Sequence, residues 1–192
     1  MPELPEVETV KKILNTFLPE SEIIDVIVYK KGIIIGDVPS FKKALIGRTF
    51  KEVERIGKYL IFTFDTNLIM LSHLRMEGKF IEVLPGNNDS IYAHVIFVLK
   101  DGRRLCYDDS RQFGKMEITT REKYLNTKSL QNVGPEPFTI NPLEYFEKIK
   151  GRNTPIKLTL LDQKLMSGLG NIYVDEVLYL SKINPLTPTS LI

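Results

Sequence analysis

The chain has one cysteine, Cys106. A single thiol excludes an internal disulfide framework, and a lone Cys within an apparent strand reads as packing. Histidine is almost as scarce. His73 and His94 are far apart in sequence and have no Cys neighbours, so each reads as a strand or core residue and no metal site is legible. No apolar run is long enough to span a bilayer and no signal pattern is present, which makes the cytoplasm the expected location and excludes a membrane partner. Charge of one sign is not in excess: 26 Lys and Arg against 24 Asp and Glu give a net +2. That balance neither requires nor excludes nucleic acid, because a basic groove can hide inside a near-neutral total. Repeats and low-complexity tracts are absent. What remains, 43% hydrophobic and 26% charged over 192 residues, is the composition of a folded soluble protein of one domain, or one and a half.

Hydrophobic periodicity predicts a helix over residues 3 to 18, with Val7, Val10, Leu14 and Phe17 on one stripe and Pro19 as its stop. Short segments rich in Ile, Val, Phe and Tyr follow: 22–29, 59–65, 68–74, 79–84, 93–100 and 104–107. Turn residues separate them, as in Asp65-Thr66-Asn67 and Asp101-Gly102, and this spacing predicts a β-sandwich or barrel. Residues 131 to 142, with Gly134, Pro135 and Pro137, read as a linker between a first domain (1–130) and a second (143–192). Helices are predicted for 142–149 behind the cap Asn141, for 156–165 behind Thr154-Pro155, and for 171–180 after a glycine-rich turn.

The opening Pro2-Glu3-Leu4-Pro5-Glu6 admits two readings. One is a helix start, since Pro suits a first turn and early Glu suits the helix dipole. The other is chemical. Proline at position 2 lets Met1 be removed, leaving a secondary amine beside the carboxyls of Glu3 and Glu6. A terminal amine titrates far below a lysine, so more of it is a neutral nucleophile at pH 7.

Four later stretches accompany this opening, in order: Gly57-Lys58-Tyr59-Leu60, His73-Leu74-Arg75-Met76-Glu77-Gly78, Asp109-Ser110-Arg111-Gln112-Phe113-Gly114, and Asp162-Gln163 followed by Gly168-Leu169-Gly170-Asn171-Ile172-Tyr173-Val174-Asp175-Glu176. Together they resemble the formamidopyrimidine-DNA glycosylase family, bacterial repair enzymes that excise oxidised purines. The opening residues favour that branch over the related enzymes for oxidised pyrimidines. The resemblance implies an α+β fold: a helix packed on a sandwich of two antiparallel sheets, then a partial helix-two-turn-helix DNA-binding domain. It implies a DNA glycosylase with abasic-site lyase activity and no cofactor for the chemistry. Pro2 would attack deoxyribose C1′ to form an iminium, Glu3 would protonate the opening sugar ring, and Glu6 would assist proton transfer.

Read from residue type alone, Lys58 is an exposed lysine and Met76 and Phe113 are core residues. By resemblance, Lys58 holds a phosphate at the damaged nucleotide. Met76 fills the space left by a flipped nucleotide, Arg111 faces the orphaned base and Phe113 wedges into the stack. Gln112 departs from the family, which usually has Arg or Lys there. Gly168-Leu169-Gly170 is too short for a dinucleotide fingerprint and reads as a turn of positive-φ glycines. Asn171, at the start of the next helix, and Lys157, in the preceding one, would lie near the DNA phosphates. The implied partner is double-stranded DNA carrying oxidised purines or abasic sites.

Family members continue beyond the position matching Ile192 with another helix, a loop over the flipped purine and a zinc finger. The structural zinc of that finger has no ligands here. A chain ending at Ile192 is therefore expected to be an impaired, monomeric enzyme, with self-association possible through the apolar face of helix 171–180. The alternatives are an inactive relative that binds DNA weakly or not at all, and an unrelated β-sandwich interaction domain.

Overall fold

The computed structural model describes residues 1–192. The chain divides into two compact units, Met1–Thr127 and Lys128–Ile192. In order, the first holds α1 (Leu4–Phe17), β1 (Ile23–Val28), β2 (Ile34–Ile35), α2 (Val38–Leu45), β3 (Phe50–Ile56), β4 (Tyr59–Phe64), β5 (Leu68–His73), β6 (Lys79–Val83), β7 (Ala93–Leu99), β8 (Arg104–Asp108) and β9 (Lys115–Thr120). The second holds α3 (Pro142–Ile149), α4 (Ile156–Leu161) and α5 (Asn171–Leu180).

The strands form a four-stranded sheet, β1-β7-β8-β6, and a five-stranded sheet, β2-β9-β5-β4-β3. The class is α+β. The expectation of two purely antiparallel sheets needs one correction, because β2 and β9 pair in parallel. The core lies between the sheets. Phe50 of one sheet meets Phe97 of the other edge-on, with ring centroids 6.3 Å apart. The predicted α1 stripe is on that core: Val7 and Leu14 are buried, and Val10 and Phe17 pack against it. Pro19 follows the C-cap Leu18, as the stop signal requires. Cys106 is buried in β8 and donates to Asp89 at 3.4 Å. Burial first, then that carboxylate, pushes its thiol up to about 12, so it stays protonated and acts as packing.

Four elements of the first unit have no counterpart in the sequence reading: α2, β2, β3 and β9. In β3 the inward residues Phe50 and Val53 lie three apart, because the register with β4 shifts between Phe50 and Glu52. A bulge of this kind breaks the two-residue period by which strands are recognised. In the second unit α3 and α5 have the predicted bounds. Asn141 caps α3 by accepting from the Leu143 and Glu144 N–H groups. The helix predicted over 156–165 is shorter and ends at Leu161. Asp162 is extended, and its side chain accepts from the Lys164 N–H, which replaces a further helical turn. The Thr154 cap is also corrected: Pro155 is the N-cap and bridges to Pro188. Tyr145, Ile149, Ile156, Val174 and Leu178 form this unit's core. No helix is long and apolar enough to cross a membrane.

Candidate active site

The start of α1 is a reciprocal cap. Glu3 is the N-cap, and its backbone N–H donates to Glu6 Oε2 at 2.8 Å while the Glu3 carboxylate turns to the Glu6 N–H. The helix-start reading of the opening holds. The glutamates cap the helix, and the capping fixes the backbone of Glu3 one residue after Pro2. Glu3 is only 2% exposed. Met1 is exposed.

Lys58 is not the exposed lysine that its residue type suggests; it is 6% exposed. Burial lowers its ammonium pKa, and the charge of Glu3 offsets part of that shift. Arg55 ties the turn before it to α1. Its Nε donates to Glu8 at 2.9 Å and its Nη1 to the Gly57 carbonyl at 2.8 Å. Hydrogen bonds from Lys11 and then Arg55 hold the Glu8 carboxyl below the usual range. Gly57 turns with φ 55°, a left-handed conformation in which glycine carries no penalty. Glu8 and Arg55 went unassigned in the sequence, where a charged pair so far apart gives no signal.

Tyr59 lies opposite His73 in the β4–β5 ladder, and their rings meet edge-on at 4.6 Å. His73 Nδ1 accepts from the Arg75 N–H at 3.0 Å, so that nitrogen must be unprotonated. Burial, followed by the charges of Arg75 and Lys58, pushes its pKa down to about 3.

Met76 and Phe113 are exposed, at 39% and 50%. Neither belongs to the core that residue type alone assigns them. Met76 lies in the β5–β6 connection and Phe113 in the β8–β9 connection. The Arg111 guanidinium stacks over the Phe113 ring, 5.0 Å from its centroid. His73 pairs with Lys115 between β5 and β9, and Lys79 with Asp108 between β6 and β8. Both connections thus cross from one sheet to the other side by side. Since β4 begins opposite His73, Lys58 lies at this same end of the sandwich.

In the second unit, Asn171 is exposed at the first position of α5. Lys157 Nζ pairs with Asp175 at 2.7 Å, so its charge is already engaged by α5. Only Gly168 of the glycine turn is left-handed, at φ 97°; Gly170 is extended and serves as the N-cap. Gln163 organises that turn. Its amide donates to the Leu161 and Leu169 carbonyls and accepts from the Gly168 N–H. Ile172, Val177, Tyr179 and Leu180 of α5 are exposed. No three His, Cys, Asp or Glu side chains converge so as to hold a metal ion, and the residues present do not fit a structural zinc.

Residues 1–116 match the formamidopyrimidine-DNA glycosylase N-terminal domain, and residues 133–192 match the formamidopyrimidine-DNA glycosylase H2TH domain. A formamidopyrimidine-DNA glycosylase of Lactiplantibacillus plantarum is 43% identical over 192 residues, covering 99% of this chain and 70% of the relative. One from Bacillus cereus is 42% identical over 189 residues, covering 96% and 68%. Among solved structures, the Lactococcus lactis Fpg in complex with an abasic site containing DNA superposes with a TM-score of 0.94 at 35% identity, over 99% of this chain and 72% of that one. The wild-type Lactococcus lactis Fpg with a N7-benzyl-Fapy-dG containing DNA gives 0.94 at 36% identity, over 100% and 71%. Matched along nearly its whole length in both sequence and fold, the chain belongs to the formamidopyrimidine-DNA glycosylase family.

Proposed function

We propose that this chain excises oxidised purines, 8-oxoguanine and formamidopyrimidines, from duplex DNA and then cleaves the strand at the abasic site. The observation that carries this reading is the gathering at one end of the sandwich of buried Lys58, which senses the charge of Glu3, with the exposed side chains of Met76, Arg111 and Phe113. An acid beside a terminal amine serves the sugar, a cation serves its phosphate, and exposed apolar groups serve the gap left by a flipped nucleotide.

In the proposed reaction the Pro2 nitrogen, freed of Met1, bonds to C1′ as the bond from C1′ to the base breaks. Glu3 donates a proton to the opening sugar ring, and the base leaves with its bonding pair and takes up a proton. The resulting iminium acidifies the C2′ proton. Loss of that proton expels the 3′ phosphate, and a second elimination expels the 5′ phosphate. Glu6, already bonded to the Glu3 N–H, would assist proton transfer. Asn171 and Lys157 are the proposed phosphate contacts of the second unit, with Lys157 exchanging Asp175 for phosphate. The Lactococcus lactis Fpg, solved with abasic site and with N7-benzyl-Fapy-dG containing DNA, supports the choice of substrate.

The test is a duplex with 8-oxoguanine opposite cytosine. The expected products are the free base and a one-nucleotide gap bearing phosphate on both sides. Base release without strand cleavage would remove the lyase step. Neither product, from a folded protein, would establish the inactive-relative reading instead.

A further inference from the structure

The two connections that carry Met76 and Arg111–Phe113 share one buried post. Tyr107, near the end of β8, is fully buried. Its hydroxyl donates to Asp109 Oδ2 at 3.3 Å. Burial, then the charge of Asp109, raises the phenol pKa and keeps the hydroxyl a donor. Asp109 is itself buried, and its carboxylate closes the second connection on itself: Oδ2 accepts from the Gly114 N–H at 2.8 Å and Oδ1 from the Arg111 N–H at 3.2 Å. The first connection is closed by the Gly78 N–H donating to the Leu74 carbonyl at 3.0 Å.

Gly78 and Gly114 end the two connections, and both stand against the Tyr107 phenol. A Cβ on Gly114 would lie 2.6 Å from Tyr107 Cζ, and one on Gly78 would lie 2.9 Å from the same atom. Neither glycine has a positive φ, so what excludes a side chain is the close approach itself. A second tie runs across the surface, where the Ser110 hydroxyl donates to the Glu77 carboxylate. Ser110 precedes Arg111 and Glu77 follows Met76. Two non-glycine residues at the tips, Arg75 and Gln112, are left-handed at φ 58° and 61°. Such conformations persist where surrounding bonds over-determine them.

We propose that Tyr107 and Asp109 are positioning residues that bind the two connections into one rigid wedge, so that Met76, Arg111 and Phe113 enter a duplex as a unit. This rests on the reading above that these side chains fill the space of a flipped nucleotide. A wedge ordered before it meets DNA does not have to order two loops while it unstacks a base step.

The experiment uses the full chain and a duplex with a tetrahydrofuran abasic analogue and 2-aminopurine beside it, so that stopped-flow fluorescence reports wedge insertion without chemistry. In the parent background, Met76→Ala and Phe113→Ala should each slow insertion, and the double variant should be no slower than the worse single one. Residues acting as a unit are non-additive in this way. Tyr107→Phe keeps the ring packing and removes the hydroxyl. It should slow insertion about tenfold, the scale of one hydrogen bond to a charged group, and make the two truncations multiply. Asp109→Asn should reproduce this behaviour. Multiplying effects in the parent, or unchanged insertion and coupling in Tyr107→Phe, would overturn the proposal. Borohydride trapping on single-stranded abasic DNA, where no stack has to open, is the second readout. Tyr107→Phe should match the parent there, whereas loss of the adduct together with insertion would mark Tyr107 as merely structural. A parent that forms no adduct would refute the proposed reaction and leave the fluorescence result standing.

Discussion

His73 shows how a single buried group sets both geometry and pH response. Its Nδ1 must accept from the Arg75 N–H, and its surroundings hold its pKa at about 3 against an ordinary 6.5. Below pH 6.5 the unfolded chain takes up a proton that the native chain refuses. The stability contributed by neutral His73 is therefore present above that pH and is lost as pH falls towards 3, at up to about 1.4 kcal/mol per pH unit. His73→Asn keeps an acceptor for Arg75 and removes the titration. Urea denaturation across this window should show a shallower acid loss for the variant, and identical profiles would contradict the assignment. Gln112 makes a second case. It stands exposed on the β8–β9 connection, and the family resemblance implies a basic residue there. Gln112→Arg should tighten duplex binding and steepen its salt dependence by about one unit of slope, read by titration at several salt concentrations. An unchanged slope would mean that this position does not meet phosphate.

At the scale of elements, α1 is docked by Asn15 as well as by its apolar stripe. The Asn15 amide donates to the Val53 carbonyl at 2.8 Å and accepts from the Val53 N–H at 2.9 Å. β3 is an edge strand, so these bonds also cover backbone groups that no neighbouring strand pairs. Asn15→Ala should cost about 1–3 kcal/mol in chemical denaturation by leaving both groups unsatisfied. A cost near zero would show that solvent replaces the bonds. Legibility divides along the same lines. α1, α3 and α5 carry intact periodicity with caps or stops and were readable. β3 was not, because its bulge spaces Phe50 and Val53 like a helix. α4 was overextended because Leu160, Leu161 and Leu165 keep a helical spacing while the side-chain bonds of Asp162 and Gln163 turn the chain. Those bonds depend on geometry that no spacing encodes.

For the whole molecule, the residues proposed for the chemistry lie in motifs, and those that hold them do not. Pro2, Glu3, Lys58, Met76, Arg111 and Phe113 lie in short recognisable stretches, and the chain crossings between sheets bring most of them to one end. Glu8, Arg55, Tyr107 and Asp109 act through pairings that exist only after folding. The burial of Lys58 beside Glu3 was equally invisible, since a lysine after glycine reads as solvent-exposed. The division of labour is testable at this scale. Lys58→Gln should weaken binding to every duplex alike, whereas Arg111→Ala should change discrimination among opposite bases by roughly 1–3 kcal/mol. Equal losses for every opposite base in both variants would contradict it.

The central claim is that the amine of Pro2 does the chemistry, and mass spectrometry of the covalent adduct tests it most directly. Protein with Met1 removed, incubated with an abasic duplex and borohydride, should yield an adduct whose digestion puts the sugar remnant on the N-terminal peptide at Pro2. Protein that retains Met1 should yield none. An undiminished adduct from the Met1-bearing protein, or a remnant on Lys58, would contradict the account.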